Sequence, residues 1–219
     1  MTIDKKNTFA GILLVIILLA FCLVFTHFLM PGAILPTRFF VSRLSFWVVV
    51  GILFIYAAKI ERRPLLLWGE QWHKFIFYPV SIVAILGATL VGGFVIAMVI
   101  RSFGLSVRSN KVGMILGFSL QLRLLAVVTA AVTEELIVRG YLLPRLQLFF
   151  KKPVWPIVIS SFIFSLAHMG FGTFINMAVP FWIGLVFAWH YYKYRNLTIL
   201  IICHFLIDFI SIIIPHTHK

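Results

Sequence analysis

The chain has 219 residues, of which 62% are hydrophobic and 11% charged, and its formal net charge is +13. Soluble domains carry about 25% charged residues, and a mean hydropathy of +1.08 leaves more apolar surface than a fold of this length can hide from water. The basic residues sit between apolar runs, with no aromatic-basic surface motif, so they speak against nucleic acid as a partner and for loops anchored on anionic lipid headgroups.

A helix that crosses the hydrocarbon core of a bilayer needs about 20 apolar residues. In chain order, such runs cover roughly 9–30, 43–59, 76–100, 122–144, 154–171, 174–192 and 197–214. The first has the basic start of a signal peptide (Lys5, Lys6), but it continues to Met30 without a small-residue cleavage site and reads as a membrane helix. Between 102 and 121 the apolar stretch Val112–Leu120 is too short to span; it reads as interfacial or as the start of the fourth helix. The expected fold is an all-α, polytopic transmembrane helix bundle of seven spans, with eight as the alternative. A cytoplasmic N-terminus puts twelve of the 19 Lys and Arg on the inside, with Arg38 and Arg43 among those outside. Cys22 and Cys203 lie within apolar runs and read as packing residues. No repeat or linker divides residues 1–219, so a single membrane domain is expected.

Ionisable side chains inside a span are costly and by default mark function or a specific pairing. Three groups stand out in the last four runs. Glu134-Glu135-Leu136-Ile137-Val138-Arg139 lies in the fourth. Glu135 and Arg139, four apart, share a face and can neutralise one another. Glu134, turned by about 100° from Glu135 on an α-helix, has no partner on its own helix. Phe164-x-x-x-His168 lies in the fifth run, and His204 with Asp208, again four apart, in the seventh. A lone buried His is more often a hydrogen-bonded packing residue; a His and an Asp on one face are harder to dismiss. At 1.5 Å per residue, Glu134 lies roughly 15 Å in from Pro144 and His168 roughly 21 Å in from Val154. His204 and Asp208 lie roughly 12 and 18 Å in from Asn196. Alternation of the spans puts these starting points on one side, so all four groups are expected near the same depth.

These motifs, EExxxR at 134–139, FxxxH at 164–168 and HxxxD at 204–208, resemble in order the three motifs of the CAAX-processing and bacteriocin-processing family of membrane proteins (CPBP, or Abi). The resemblance covers roughly residues 120–212, taken as the family-like core. That family includes type II CAAX prenyl endopeptidases, which release the last three residues of prenylated proteins, and bacterial Abi proteins linked to bacteriocin processing or self-immunity. One position departs: in the prenyl endopeptidases the third motif usually ends in Asn, where this chain has Asp208. An ionised Asp cannot donate a hydrogen bond to an oxyanion, which puts that position's oxyanion role in doubt.

The resemblance implies peptide-bond hydrolysis inside the membrane, on a membrane-embedded or lipidated peptide. Glu134 is then the general base for a water, with His168 positioning that water. His204 with Asp208 stabilises the oxyanion or completes the water site. Glu135 and Arg139 hold the helix and tune Glu134, and Phe164 belongs to the second motif. The same Glu134, His168, His204 and Asp208 could instead hold a divalent metal such as zinc with an open position for water. The rival readings are a proton-coupled transporter, a haem protein with His168 and His204 as axial ligands, and a membrane scaffold or bacteriocin self-immunity protein without catalysis. Short loops and the lack of an organelle signal point to a bacterial inner membrane, with the N-terminus in the cytoplasm.

Overall fold

The computed structural model describes residues 4–28, 34–106, 115–169 and 173–213, with side-chain detail except at 23, 25–28 and 212–213. All regular structure among them is helical. Helix α1 is Lys5–Phe28, and its first turn is closed by Asp4, whose Oδ1 accepts from Lys6 N at 2.9 Å. Such a carboxylate meets the free N–H groups and the positive end of the helix dipole. Helix α2 runs Leu35–Tyr56 and continues as a wide π-turn, Ala57–Glu61, before Arg62 stops it in the left-handed conformation. Helix α3 is Phe77–Ser102.

These three helices are long and apolar enough to cross a bilayer, and no more than a third of each span is buried within the protein. The reason is visible in α1. Ile12, Val15, Leu19 and Cys22 form one buried stripe against Phe46, Val49 and Leu53 of α2, while Leu13, Ile16, Ile17 and Phe21 face outward. An apolar stripe inside and an apolar face outside suit lipid as the solvent, where packing and not water exclusion holds helices together. The chain is an integral membrane protein.

Helix α4 is built differently. It starts as Leu120–Thr129, widens into π-turns over Ala130–Glu134 and Leu136–Leu142, and finishes as Leu143–Gln147. Ala126 to Leu146 is almost entirely buried, as expected for the central rod of a bundle. One core cluster joins it to α1 and α2 through Ile137, Val138, Tyr141 and Leu142. A second cluster takes Leu143 together with the remaining helices. Those are α5 (Val154–Leu166), α6 (Ile175–Tyr194) and α7 (Leu197–Ile213), with Ile85 of α3.

Close contacts fix this second half. Gly184 of α6 meets Ser161 of α5 so tightly that a Cβ at 184 would lie 2.9 Å from Ser161 Cβ and 3.0 Å from its Cα. Small residues at helix crossings let backbones approach in membranes. Gly92 of α3 accommodates the indole of Trp182, whose Nε1 donates to Ala88 O at 2.9 Å. The 62–76 connection straps one end of the bundle. Glu70 accepts from the N–H groups of Leu197 and Thr198 at 2.8 and 3.0 Å and so caps α7. Glu61 and Arg145, almost fully buried, form a multidentate pair at 2.5–3.0 Å, and Tyr141 Oη donates to Glu61 at 3.0 Å.

Seven helical rods occupy the seven predicted runs among the described residues. The eighth finds only a helical turn at 115–116, and 107–114 lie outside the described residues. The fifth run needs correction: α5 stops at Leu166, 13 residues in, about 20 Å and too short for a full crossing by itself. Ala167 to Met169 are apolar enough to extend the run, yet they form the turn that ends the helix. Cys22 and Cys203 are buried free thiols.

Candidate active site

The site is assembled on α4. Its π-turns flank Glu135, so the simple 100° helical phase does not describe this stretch; wide turns of this kind are common at functional sites. Thr133 Oγ1 donates back to Thr129 O at 2.7 Å, within the first wide turn. Glu135 and Arg139 are fully buried, and Arg139 Nη1 donates to Glu135 Oε1 at 2.9 Å. Arg139 also lies over the ring of Phe164 at 4.3 Å and that of Phe187 at 5.4 Å. Its Nε and Nη2 have no hydrogen-bond acceptor among the described residues, so besides the charges of Glu135 and Glu134 the two aromatic faces stabilise the cation. Phe164, the first residue of the second motif, therefore serves as a platform for the arginine of the first.

His204 of α7 completes the cluster. Its Nδ1 lies 2.8 Å from Glu135 Oε1, and its Nε2 lies 3.6 Å from Asp208 Oδ2. The second distance is too long for a hydrogen bond. A ring with a carboxylate oxygen facing each nitrogen can donate from both only as the imidazolium. Glu135 thus orients His204 as well as neutralising Arg139, a link across 69 residues that helical spacing within one span cannot reveal.

His168 sits not within a helix but in the turn just beyond α5. Its Nδ1 lies 3.0 Å from Phe164 O, and its ring packs on Phe164 at 4.9 Å. Glu134 is half-buried and stands outside the Glu135–Arg139 ion pair. Asp208 lies within electrostatic range of His204, Glu134, His168 and Arg43, so side chains of α4, α7, α2 and the turn after α5 converge there. Arg43, an outside loop anchor by sequence, belongs instead to α2, among the groups that act on Glu134 and Asp208. Its position at the start of an apolar run hides it, because a charge there reads equally well as a headgroup contact.

A metal ion is one implied possibility for these residues. Among the described residues, no three His, Cys, Asp or Glu side chains group so as to hold an ion. The Nδ1 atoms of His168 and His204 meet Phe164 O and Glu135 Oε1, the kind of second contact that a metal-ligating histidine makes, so an ion would be met through Nε2.

The all-helical membrane bundle thus gathers carboxylates and histidines from α4, α7 and the turn after α5. Residues 116–210 match the family described as Type II CAAX prenyl endopeptidase Rce1-like, the family that the three motifs resemble, and over the same stretch. The match indicates a protease in general terms. It covers somewhat less than half of the chain and leaves α1 to α3 outside. No curated protein and no solved structure matches the chain.

Proposed function

We propose that the protein is an endopeptidase that hydrolyses a peptide bond of a membrane-associated or lipidated substrate with a water activated by Glu134. The observation that carries this reading is the division of labour between adjacent carboxylates. Glu135 is committed to Arg139 and His204, whereas Glu134 makes no such pairing and shares the electrostatic neighbourhood of His168, His204 and Asp208. Glu134 takes a proton from water, and the hydroxide oxygen bonds to the carbonyl carbon as the π pair moves to the carbonyl oxygen. The pair then returns, the C–N bond breaks, and the amine leaves with the proton held by Glu134. His168 positions the water, and His204, oriented by Glu135, faces the developing charge. No step passes through a metal. The match to prenyl endopeptidases supports a prenylated peptide as substrate; the charge bias supports a cytoplasmic N-terminus, and the short loops support a bacterial inner membrane, where a bacteriocin leader or other membrane peptide is the alternative substrate.

The test is cleavage in detergent of a panel of farnesylated CAAX peptides and bacteriocin-leader peptides, with products identified by mass spectrometry. Wild type is expected to release a defined C-terminal fragment from at least one lipidated peptide, and His168→Ala to lose at least about tenfold in rate. Equal product from wild type and Glu134→Ala would show that Glu134 is not the base, whereas a biological phenotype kept by Glu134→Ala without any cleavage would move the scaffold or immunity reading ahead.

A further inference from the structure

Arg43 is a half-buried cation, with its Nε fully enclosed, that the catalytic scheme leaves unused. One turn further along α2, Trp47 Nε1 donates to Thr129 Oγ1 at 3.1 Å, which pins this register of α2 against the stretch of α4 leading to Glu134. The guanidinium is held over the rings of Phe39 at 5.3 Å and Phe46 at 5.1 Å. Nη2 reaches Ser42 Oγ at 3.3 Å, while the buried Nε makes no hydrogen bond among the described residues. The charges of Glu134 and Asp208 act on it, yet neither carboxylate comes within ion-pair distance among the described residues. An aromatic cradle thus holds a cation with an unused N–H donor within electrostatic range of the carboxylates of the site.

The chemistry of Asp208 says what such a donor could do. An ionised carboxylate accepts hydrogen bonds and has none to give, so it cannot stabilise the negative oxygen that forms when water adds to a carbonyl. His204 faces that region through Nε2, and a second donor is wanted there. A guanidinium carries five N–H donors and stays charged throughout the reaction.

We propose that Arg43 is a catalytic residue that donates a hydrogen bond to the oxyanion of the tetrahedral intermediate, a role for which Asp208 has no proton. No proton is transferred from Arg43. As the carbonyl π pair moves onto oxygen the hydrogen bond strengthens, and it weakens again when the pair returns and the C–N bond breaks. The proposal rests on Glu134-dependent hydrolysis as read above.

The experiment measures kcat and KM on a fluorogenic farnesylated CAAX peptide for wild type, Glu134→Ala, Arg43→Gln, Arg43→Lys and the double variant Arg43→Gln/Asp208→Asn. Loss of an oxyanion donor typically costs about 10²–10³ in kcat. Arg43→Gln is therefore expected to lower kcat about a hundredfold, with KM changed less than about threefold. The Asp208→Asn change in the double variant brings a side-chain amide that can donate, and it should recover at least about tenfold of the loss. If Arg43→Gln does not fold, Arg43→Lys carries the test: it keeps the charge but not the planar fork, so kcat should fall at least about fivefold at unchanged Tm. Wild type that cleaves nothing overturns both readings. Cleavage that needs Glu134 but keeps its kcat in Arg43→Gln overturns the role of Arg43 alone, as does a loss confined to KM or an absence of rescue by Asp208→Asn.

Discussion

Replacing Glu135 by alanine removes the one oxygen shared by Arg139 Nη1 at 2.9 Å and His204 Nδ1 at 2.8 Å. Glu135 and Arg139 are both fully buried, so water cannot take over. Breaking a buried pair from one side costs about 3–5 kcal/mol, because the surviving charge is left uncompensated. Here the faces of Phe164 and Phe187 still hold the guanidinium, and each such contact is worth about 0.5–2 kcal/mol. The loss should therefore fall at the lower end, about 3 kcal/mol. For a chain of this length, about 1 kcal/mol corresponds to about 2–4 °C in Tm, so Glu135→Ala should melt about 6–12 °C below wild type. Glu135→Gln keeps an acceptor oxygen and gives up only the charge assistance; about 1 kcal/mol, or about 2–4 °C, is expected. The assay is thermal unfolding in detergent followed by tryptophan fluorescence. A Glu135→Ala protein within about 2 °C of wild type, or one more stable than Glu135→Gln, would refute the shared-acceptor geometry.

Other contacts lead to further expected outcomes. Glu61→Ala orphans Arg145 and takes the acceptor from Tyr141; it should cost about 3–5 kcal/mol, and Glu61→Leu with Arg145→Met should recover most of that, both read as Tm. Gly184→Val drives side-chain atoms into the Ser161 backbone and should cost about 1–3 kcal/mol, with a loss of activity because α5 leads directly to His168. Prolonged dialysis against a chelator should leave the cleavage rate within about twofold, since no metal takes part in the proposed step; loss restored by zinc would contradict it.

The rods of the bundle are legible in the sequence because a bilayer demands long apolar runs, and those of α1 to α3 are interrupted by little else. The site is legible in part for the same reason: Glu134, His168, His204 and Asp208 are conspicuous against Leu, Ile and Phe. What stays hidden depends on geometry that one-dimensional spacing does not carry. The end of α5 is overrun because Ala167 and Met169 look like helix interior. The wide turns of α4 invalidate a wheel drawn at about 100° per residue. The bond from Glu135 to His204 joins two helices far apart in sequence, and Arg43 reads as a surface anchor unless α2 is placed against α4.

The most direct test of Glu134 as the base is Glu134→Gln, which preserves the size of the side chain and removes its ability to accept a proton from water. General-base catalysis contributes about 10²–10⁴ in rate. On a farnesylated CAAX peptide that wild type cleaves, kcat should fall by at least about a hundredfold while Tm and KM stay near the wild-type values. A kcat within about threefold of wild type would show that another group takes the proton.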